Sequence, residues 1–278
     1  MRNTRPAPAV VVGVDGSRAA VEAARWALDE AVARQLPLRL VHVADPESTV
    51  PQSPQELPLG VEYGETVLRE ARAATGRAGE SVPVETAIVA GDPAQMLLAE
   101  SRTAELVCVG STGIGAVSEA LLGSVATTLT ENAACPVAVI RSHDGQRSTT
   151  ATATATTTIA VVVRASTRDE DTVVAAMQEA RLRGSPLVAL GLREDGSDLL
   201  PQDELDSLVQ TWRQRYPDVV VQPVTTRSGL ARQLADDRSP VALVVLNAEE
   251  ADRVADIVGP HGHPVLKHPE CSVLVVRH

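Results

Sequence analysis

"AVVVGVDGSRAAVEAARWALDEAVARQLPLRLVHV", residues Ala9 to Val43, decides the fold. It opens on an apolar, β-branched run, Ala9–Val14, of the kind that suits a strand buried on both faces. Asp15-Gly16-Ser17 then supplies turn chemistry. The Ala-rich stretch Arg18–Gln35 contains neither glycine nor proline and reads as a helix. "PLRLVHV" returns to strand. A strand, a helix and a second strand in this order form a βαβ unit, whose strands run parallel with a right-handed crossover.

The same alternation continues outward. A polar, Pro-rich loop (Asp45–Pro58) leads to a helix predicted over Val61–Ala78, and "VPVETAIV" (Val82–Val89) is a third strand. "GDPAQMLLAESRT" is a helix whose Asp92 and Pro93 suit its first turn. "ELVCV" (Glu105–Val109) is the fourth strand. The loop "GSTGIGAVSEALLGS" (Gly110–Ser124) leads to a helix over Val125–Ala134, and "PVAVI" (Pro136–Ile140) is the fifth strand.

"SHDGQRSTTATATATTT" (Ser142–Thr158) is low in complexity and has no hydrophobic period, so residues 142–157 are expected to be a flexible linker. Beyond it the rhythm repeats. The strands are "TIAVVV", "PLVALGL", "DVVVQPV", "VALVVL" and "SVLVV". Between them, helices are predicted over Thr167–Gly184, near Gln202–Arg215, near Ser228–Asp237 and about Glu249–Ile257. "CPVAVIR" (Cys135–Arg141) aligns with "CSVLVVR" (Cys271–Arg277), marking an internal repeat. The expected domains are therefore 1–141 and 158–278, each a doubly wound α/β sheet. In such sheets ligands bind beyond the carboxyl ends of the strands, where the strand order reverses. If the first and fourth strands flank that reversal, Asp15-Gly16-Ser17 and the Gly110–Ser124 loop share one crevice.

Composition narrows the function. The chain has 278 residues, a net charge of −11, 44% hydrophobic residues, two Trp, two Tyr and no Phe. An acidic chain with almost no aromatic stacking groups is a poor partner for nucleic acid or anionic membrane. No apolar run approaches the length of a spanning helix, and the N-terminus lacks a signal pattern, so a cytoplasmic location is expected. Three cysteines make no disulfide framework; Cys108, Cys135 and Cys271 are expected as buried reduced thiols.

The Gly110–Ser124 loop is not a Walker-type loop, which needs GxxxxGK(S/T), because the only lysine in the chain is Lys267. GxGxxG also fails, since Ala116-Val117-Ser118 follows Gly115. A lysine-free anion site would use main-chain N–H groups, hydroxyls and a helix start. Gly110 and Gly113 are expected to let the main chain approach a ligand and take left-handed angles. Ser111, Thr112 and Ser124 offer hydroxyls, and Gly123-Ser124 opens a helix. A plain strand–helix connection remains the alternative on these features alone.

The spacing Gly110-x2-Gly113-x9-Gly123-Ser124 resembles the nucleotide signature of the universal stress protein family. "VVVGVDGS", "LRLVHV", "GDPAQMLLAES" and "CPVAVIR" resemble its opening strand, second strand, third helix and closing strand. The resemblance is strong over 8–141 and weak over 158–278. It implies two tandem flavodoxin-like domains of the adenine nucleotide alpha hydrolase type, each a five-stranded parallel sheet of order 3-2-1-4-5. It also implies ATP as ligand, with or without Mg²⁺. Asp15 would lie by the ribose and phosphates or a bridging Mg²⁺, and the main chain of Val43 would meet adenine. Gly13, Val14 and Val109 would line the adenine and ribose pocket. Gly110, Gly113, Gly123 and Ser124 would hold ribose and phosphates, with Ser111 and Val125 beside them. The family associates through its final strands, so "PVAVI" and "SVLVV" are expected to pair the halves, and two chains to form a homodimer.

The second half departs from the pattern. Asn247-Ala248-Glu249-Glu250 stands where glycines are expected, Arg164 replaces the acid equivalent to Asp15, and Pro260 follows Gly259. Two carboxylates there would repel phosphate. His261, His263, His268 and Cys271 match no established zinc spacing, and no metal site is expected. A Ser124–His42–Asp15 hydrolytic triad lacks its Gly-x-Ser-x-Gly elbow. The sequence thus predicts a nucleotide-dependent stress regulator rather than a dedicated enzyme. Slow ATP hydrolysis and a ligand-free adaptor are the alternatives.

Overall fold

The computed structural model describes residues 8–50, 57–76, 81–114, 122–142, 157–163, 170–192, 200–226, 241–258 and 271–277. The chain divides into two compact units between Ser142 and His143. Residues 143–156 of the expected linker lie outside the described residues.

In the first unit β1 (Val10–Gly13), β2 (Leu38–Ala44), β3 (Val84–Ala90), β4 (Leu106–Gly110) and β5 (Val137–Ile140) pair in the order β3-β2-β1-β4-β5. All four pairings are parallel. Val10 lies beside Leu38 on one side and Leu106 on the other, so the order reverses between β1 and β4. The helices are α1 (Arg18–Arg34), α2 (Leu59–Ala74), α3 (Pro93–Ser101) and α4 (Ser124–Asn132).

Local sequence explains their ends. The Ser17 hydroxyl accepts the Ala20 N–H at 3.1 Å and starts α1. Gln35 closes it in the left-handed region at φ 55°, returning its N–H to Ala31 and Val32. The face of α1 turned to the sheet is built from Ala19, Ala20, Ala23, Ala24, Ala27 and Ala31, all buried. Side chains this small let the helix axis lie close over β1 and β4. The Asp92 carboxylate accepts the Gln95 N–H at 2.9 Å, and Pro93 follows it at the start of α3. Leu38, Leu40, Leu106 and Leu129 are among the largest fully buried side chains.

In the second unit β6 (Thr158–Val163), β7 (Leu187–Leu192), β8 (Val221–Thr226), β9 (Val241–Asn247) and β10 (Ser272–Val276) run β8-β7-β6-β9-β10. Its pairings are also parallel, and the order repeats that of the first unit strand for strand. Among the described residues its α-helices are α5 (Glu170–Arg183), α6 (Gln202–Arg215) and α7 (Val254–Val258). The two flavodoxin-like sheets of the sequence reading are present.

Several boundaries differ from the sequence expectation. Helix α2 ends at Ala74 because Gly76, at φ +54°, turns the chain out of the helix. The Asp45–Pro58 loop carries a 3₁₀ turn at Pro46–Thr49, with the Asp45 carboxylate capping Glu47 N–H at 2.8 Å. The single helix expected over Glu249–Ile257 is instead a 3₁₀ helix, Ala248–Arg253, followed by the short α7. The helix expected near Ser228–Asp237 lies outside the described residues. Among the described residues no helix is long and apolar enough to cross a membrane.

Candidate functional site

A cavity of about 430 Å³ opens at the carboxyl ends of β1, β2 and β4, in the usual range for a small-molecule site. Its walls fall into two chemically distinct ends. Val41 and Val43 of β2, Pro93 and Leu97 of α3, and Val109 of β4 give an apolar end. Asp15, Ser17, Thr112, Gly113 and Ser124, with the first turn of α4, give a polar end. Gly13, Val14, Gly110, Gly123 and Val125 also line it. Ser111 does not. It is buried, its N–H donates to the Ile140 carbonyl, and its own carbonyl accepts the Gly123 N–H at 2.8 Å. That last bond ties the two ends of the loop, and residues 115–121 between them lie outside the described residues.

The glycines divide by cause. None of Gly110, Gly113 or Gly123 has a left-handed φ; of the glycines here only Gly16 does, at +91°. The expectation of left-handed angles at Gly110 and Gly113 is therefore corrected. A Cβ on Gly110 would lie 2.7 Å from Ala19 Cβ and 2.9 Å from the Ala20 nitrogen, so this glycine makes room for α1. A Cβ on Gly13 would meet Leu97 Cδ1 at 2.7 Å, and one on Gly113 would meet Asp15 Oδ2 at 2.8 Å. On Gly123 the nearest atom would be Ser111 O at 3.6 Å, an ordinary contact. Neither backbone angle (φ −66°) nor packing requires Gly123, whose only local role is the N-cap of α4.

Gly123 caps α4 with no side-chain bond, and among the described residues the first helical N–H to find a partner is that of Thr127, on the Gly123 carbonyl. The N–H groups of Ser124, Val125 and Ala126 precede it in residues that line the cavity. They are the unsatisfied donors of a helix start, backed by its positive dipole end.

Asp15 is held on both oxygens. Oδ1 accepts the Ser17 N–H and Oδ2 the Ile114 N–H, each at 2.9 Å. The turn is also gripped from behind. Tyr63 Oη donates to the Asp15 carbonyl at 3.0 Å, and His42 Nδ1 lies 2.8 Å from the Val14 carbonyl, which requires the proton on Nδ1. His42 is buried and packs edge-on against Tyr63, with ring centroids 5.6 Å apart. Strand alternation explains its place: Val41 and Val43 line the cavity, and His42 between them points to the α2 side. The structure does not bring Ser124, His42 and Asp15 together as a triad.

The same alternation makes Val41 legible from Val43. Pro93 and Leu97 carry no such signal, because only the crossover of α3 brings them over β1. Among the described residues no cluster of three or more His, Cys, Asp and Glu is placed to hold a metal ion. His261, His263 and His268 lie outside the described residues, and Cys271 is buried.

The second unit has a different counterpart. Val10 pairs with Leu106 as Ile159 pairs with Leu243, which sets Gly13 against Val162 and Gly110 against Asn247. Val162 and Asn247 are both buried, so side chains occupy the equivalent space. A 3₁₀ helix with a buried Glu250 follows β9 directly, where the first unit has its glycine-rich loop.

Residues 8–141 match the model of the universal stress protein family. Universal stress protein Rv2624c of Mycobacterium tuberculosis (strain H37Rv) is 45% identical over 270 residues, 96% of each chain. Among solved structures, a universal stress protein from Archaeoglobus fulgidus covers 97% of this chain and 96% of its own, with a TM-score of 0.67 at 16% identity. A universal stress protein solved in complex with cAMP is 26% identical over 49% of this chain and 98% of its own, with a TM-score of 0.38. High identity along the whole length of both chains, together with two sheets of one strand order, leads to a single conclusion: the chain belongs to the universal stress protein family, in its tandem two-domain form.

Proposed function

We propose that the first unit binds an adenine nucleotide, ATP by preference, and that the protein acts as a nucleotide-dependent regulator of stress response. The observation that carries this reading is the two-ended cavity. An aliphatic end formed by Val41, Val43, Leu97 and Val109 suits a base, and the uncapped start of α4 suits phosphates. Gly123, which neither strain nor packing requires, stands where a phosphate would approach. Binding is favoured over turnover because the described lining residues include one carboxylate and no Lys, Arg or His. Those are the groups that stabilise charge developing on a transferred phosphoryl group.

Mg²⁺ at nucleotide sites commonly takes one or two carboxylates besides phosphates and water; in this reading, if it accompanies ATP, the phosphates and water carry it. Asp15 is the one carboxylate among the described lining residues, and each of its oxygens accepts a backbone N–H group. The second unit takes no nucleotide in this reading, and serves to pair with the first or to present a surface. Mass spectrometry of the supernatant from denatured, freshly purified protein should find adenine nucleotide. If none is released, and millimolar ATP leaves the melting temperature unchanged, the proposal fails.

A further inference from the structure

We propose that Asp15 is a positioning residue, a latch that holds the first arm of the glycine-rich loop, residues 110–114, against the β1 turn, and not a metal ligand. The inference rests on the nucleotide reading of the site. Three bonds bridge two segments almost a hundred residues apart in sequence or close the loop on itself. Ile114 N–H donates to Asp15 Oδ2 at 2.9 Å, Ser17 Oγ donates to the Thr112 carbonyl at 3.3 Å, and Gly123 N–H donates to the Ser111 carbonyl at 2.8 Å. The first is charge-assisted, and the other carboxylate oxygen, Oδ1, accepts the Ser17 N–H at the head of α1. The carboxylate thereby joins the start of a helix to the loop.

Gly113 supports the same reading. Its φ is not left-handed, and the atom that a Cβ would meet is Asp15 Oδ2, at 2.8 Å. The glycine is required by the latch and not by its own backbone. The latch also eases an electrostatic difficulty, since a bare carboxylate beside a phosphate site would repel the ligand. Two N–H donors, Ser17 and Ile114, partly offset the charge of Asp15. Mg²⁺ demands oxygen ligands at close to 2.0–2.1 Å in octahedral array. A cation on Asp15 would stand against the Ser17 and Ile114 N–H donors already on its two oxygens and weaken their hold.

The test uses the full chain with Asp15→Asn, Gly113→Ala, Asp15→Ala and the Asp15→Ala/Gly113→Ala pair. Hydrogen exchange without nucleotide reads the latch, and calorimetric ATP titration in Mg²⁺ and in EDTA reads the role. Asp15→Ala removes both acceptors, so exchange at Ile114 should quicken at least about tenfold; Asp15→Asn keeps one acceptor and sets an amide donor against either Ser17 or Ile114, so exchange should quicken at one of the two. ATP affinity should fall by one common factor in both buffers. Gly113→Ala should reproduce both effects in the native background and add nothing in the Asp15→Ala background, because its Cβ then meets no carboxylate. Unchanged exchange at Ile114 in Asp15→Ala, additive effects in the pair, or a loss of affinity seen only with Mg²⁺ would overturn the latch. If the unaltered protein binds ATP in neither buffer, the nucleotide reading fails, and exchange at Ile114 still decides whether Asp15 holds the loop.

Discussion

Replacing Gly110 and Gly123 one at a time by alanine separates the glycine that packs the fold from the glycine that admits a ligand. At Gly110 the new Cβ would stand 2.7 Å from Ala19 Cβ, 2.8 Å from Ala19 C and 2.9 Å from Ala20 N. Carbon atoms rest at about 3.5–4.0 Å, so the first turn of α1 must retreat by roughly 0.8 Å. That turn is pinned by the Ser17 cap and by the Asp15 bond to Ser17 N–H, and the clashing atoms are mostly backbone. Overpacking of this kind costs about 1–3 kcal/mol, and the stiff neighbours place it near the top of that range. The reduced freedom of the unfolded chain returns about 0.4–1 kcal/mol, leaving a net loss of about 2 kcal/mol. For a domain of this size the melting temperature should drop by about 7 °C. At Gly123 the Cβ meets nothing nearer than 3.6 Å and φ is −66°. A weaker N-cap costs about 0.5–1 kcal/mol and the unfolded-state gain is similar, so stability should stay within about 0.5 kcal/mol. ATP affinity should nonetheless fall at least about tenfold, which is about 1.4 kcal/mol. Thermal unfolding without ligand and calorimetric titration well below the transition measure the two quantities. A Gly110→Ala protein that melts normally, or a Gly123→Ala protein that melts as early as Gly110→Ala and binds ATP normally, would refute the division.

Gly16→Ala should destabilise the first unit by about 2–3 kcal/mol in urea denaturation, since φ is +91° and the Cβ would lie 2.7 Å from both Tyr63 Oη and Val67 Cγ1. Tyr63→Phe, which loses one partly exposed bond to the Asp15 carbonyl, should cost only about 0.5–1 kcal/mol. Burial pushes the Cys135 thiol from 9.0 up to about 12, so native protein at pH 8 should resist alkylation there and react only once unfolded. The raised value makes its contribution to stability complete below about pH 9 and progressively lost between there and about pH 12, because the unfolded chain releases that proton first. Calorimetry should return one ATP per chain, since Val162, Asn247 and Glu250 are buried in the second unit where the first is open; two sites would show the second unit to be competent.

The strand–helix alternation from Ala9 to Val43, and its return after Thr158, carried the fold class and the doubling of the chain. That information is local. Apolar runs of β-branched residues, a helix without Gly or Pro, and caps at Ser17 and Asp92 state their structure within a few residues. The absence of lysine before Lys267, the spacing of Gly110, Gly113 and Gly123, and the acidic run at Glu249-Glu250 were equally legible, and they located the candidate site and the segment that departs from its pattern in the second half. Tertiary structure alone decided what each residue does there. Gly110 faces Ala19, Gly13 faces Leu97, and Asp15 bonds Ile114, partners separated by tens of residues or more in the chain. Composition and spacing cannot distinguish a glycine that admits a helix from one that admits a phosphate. The difference lies in which atoms the crossover connections bring to the missing side chain.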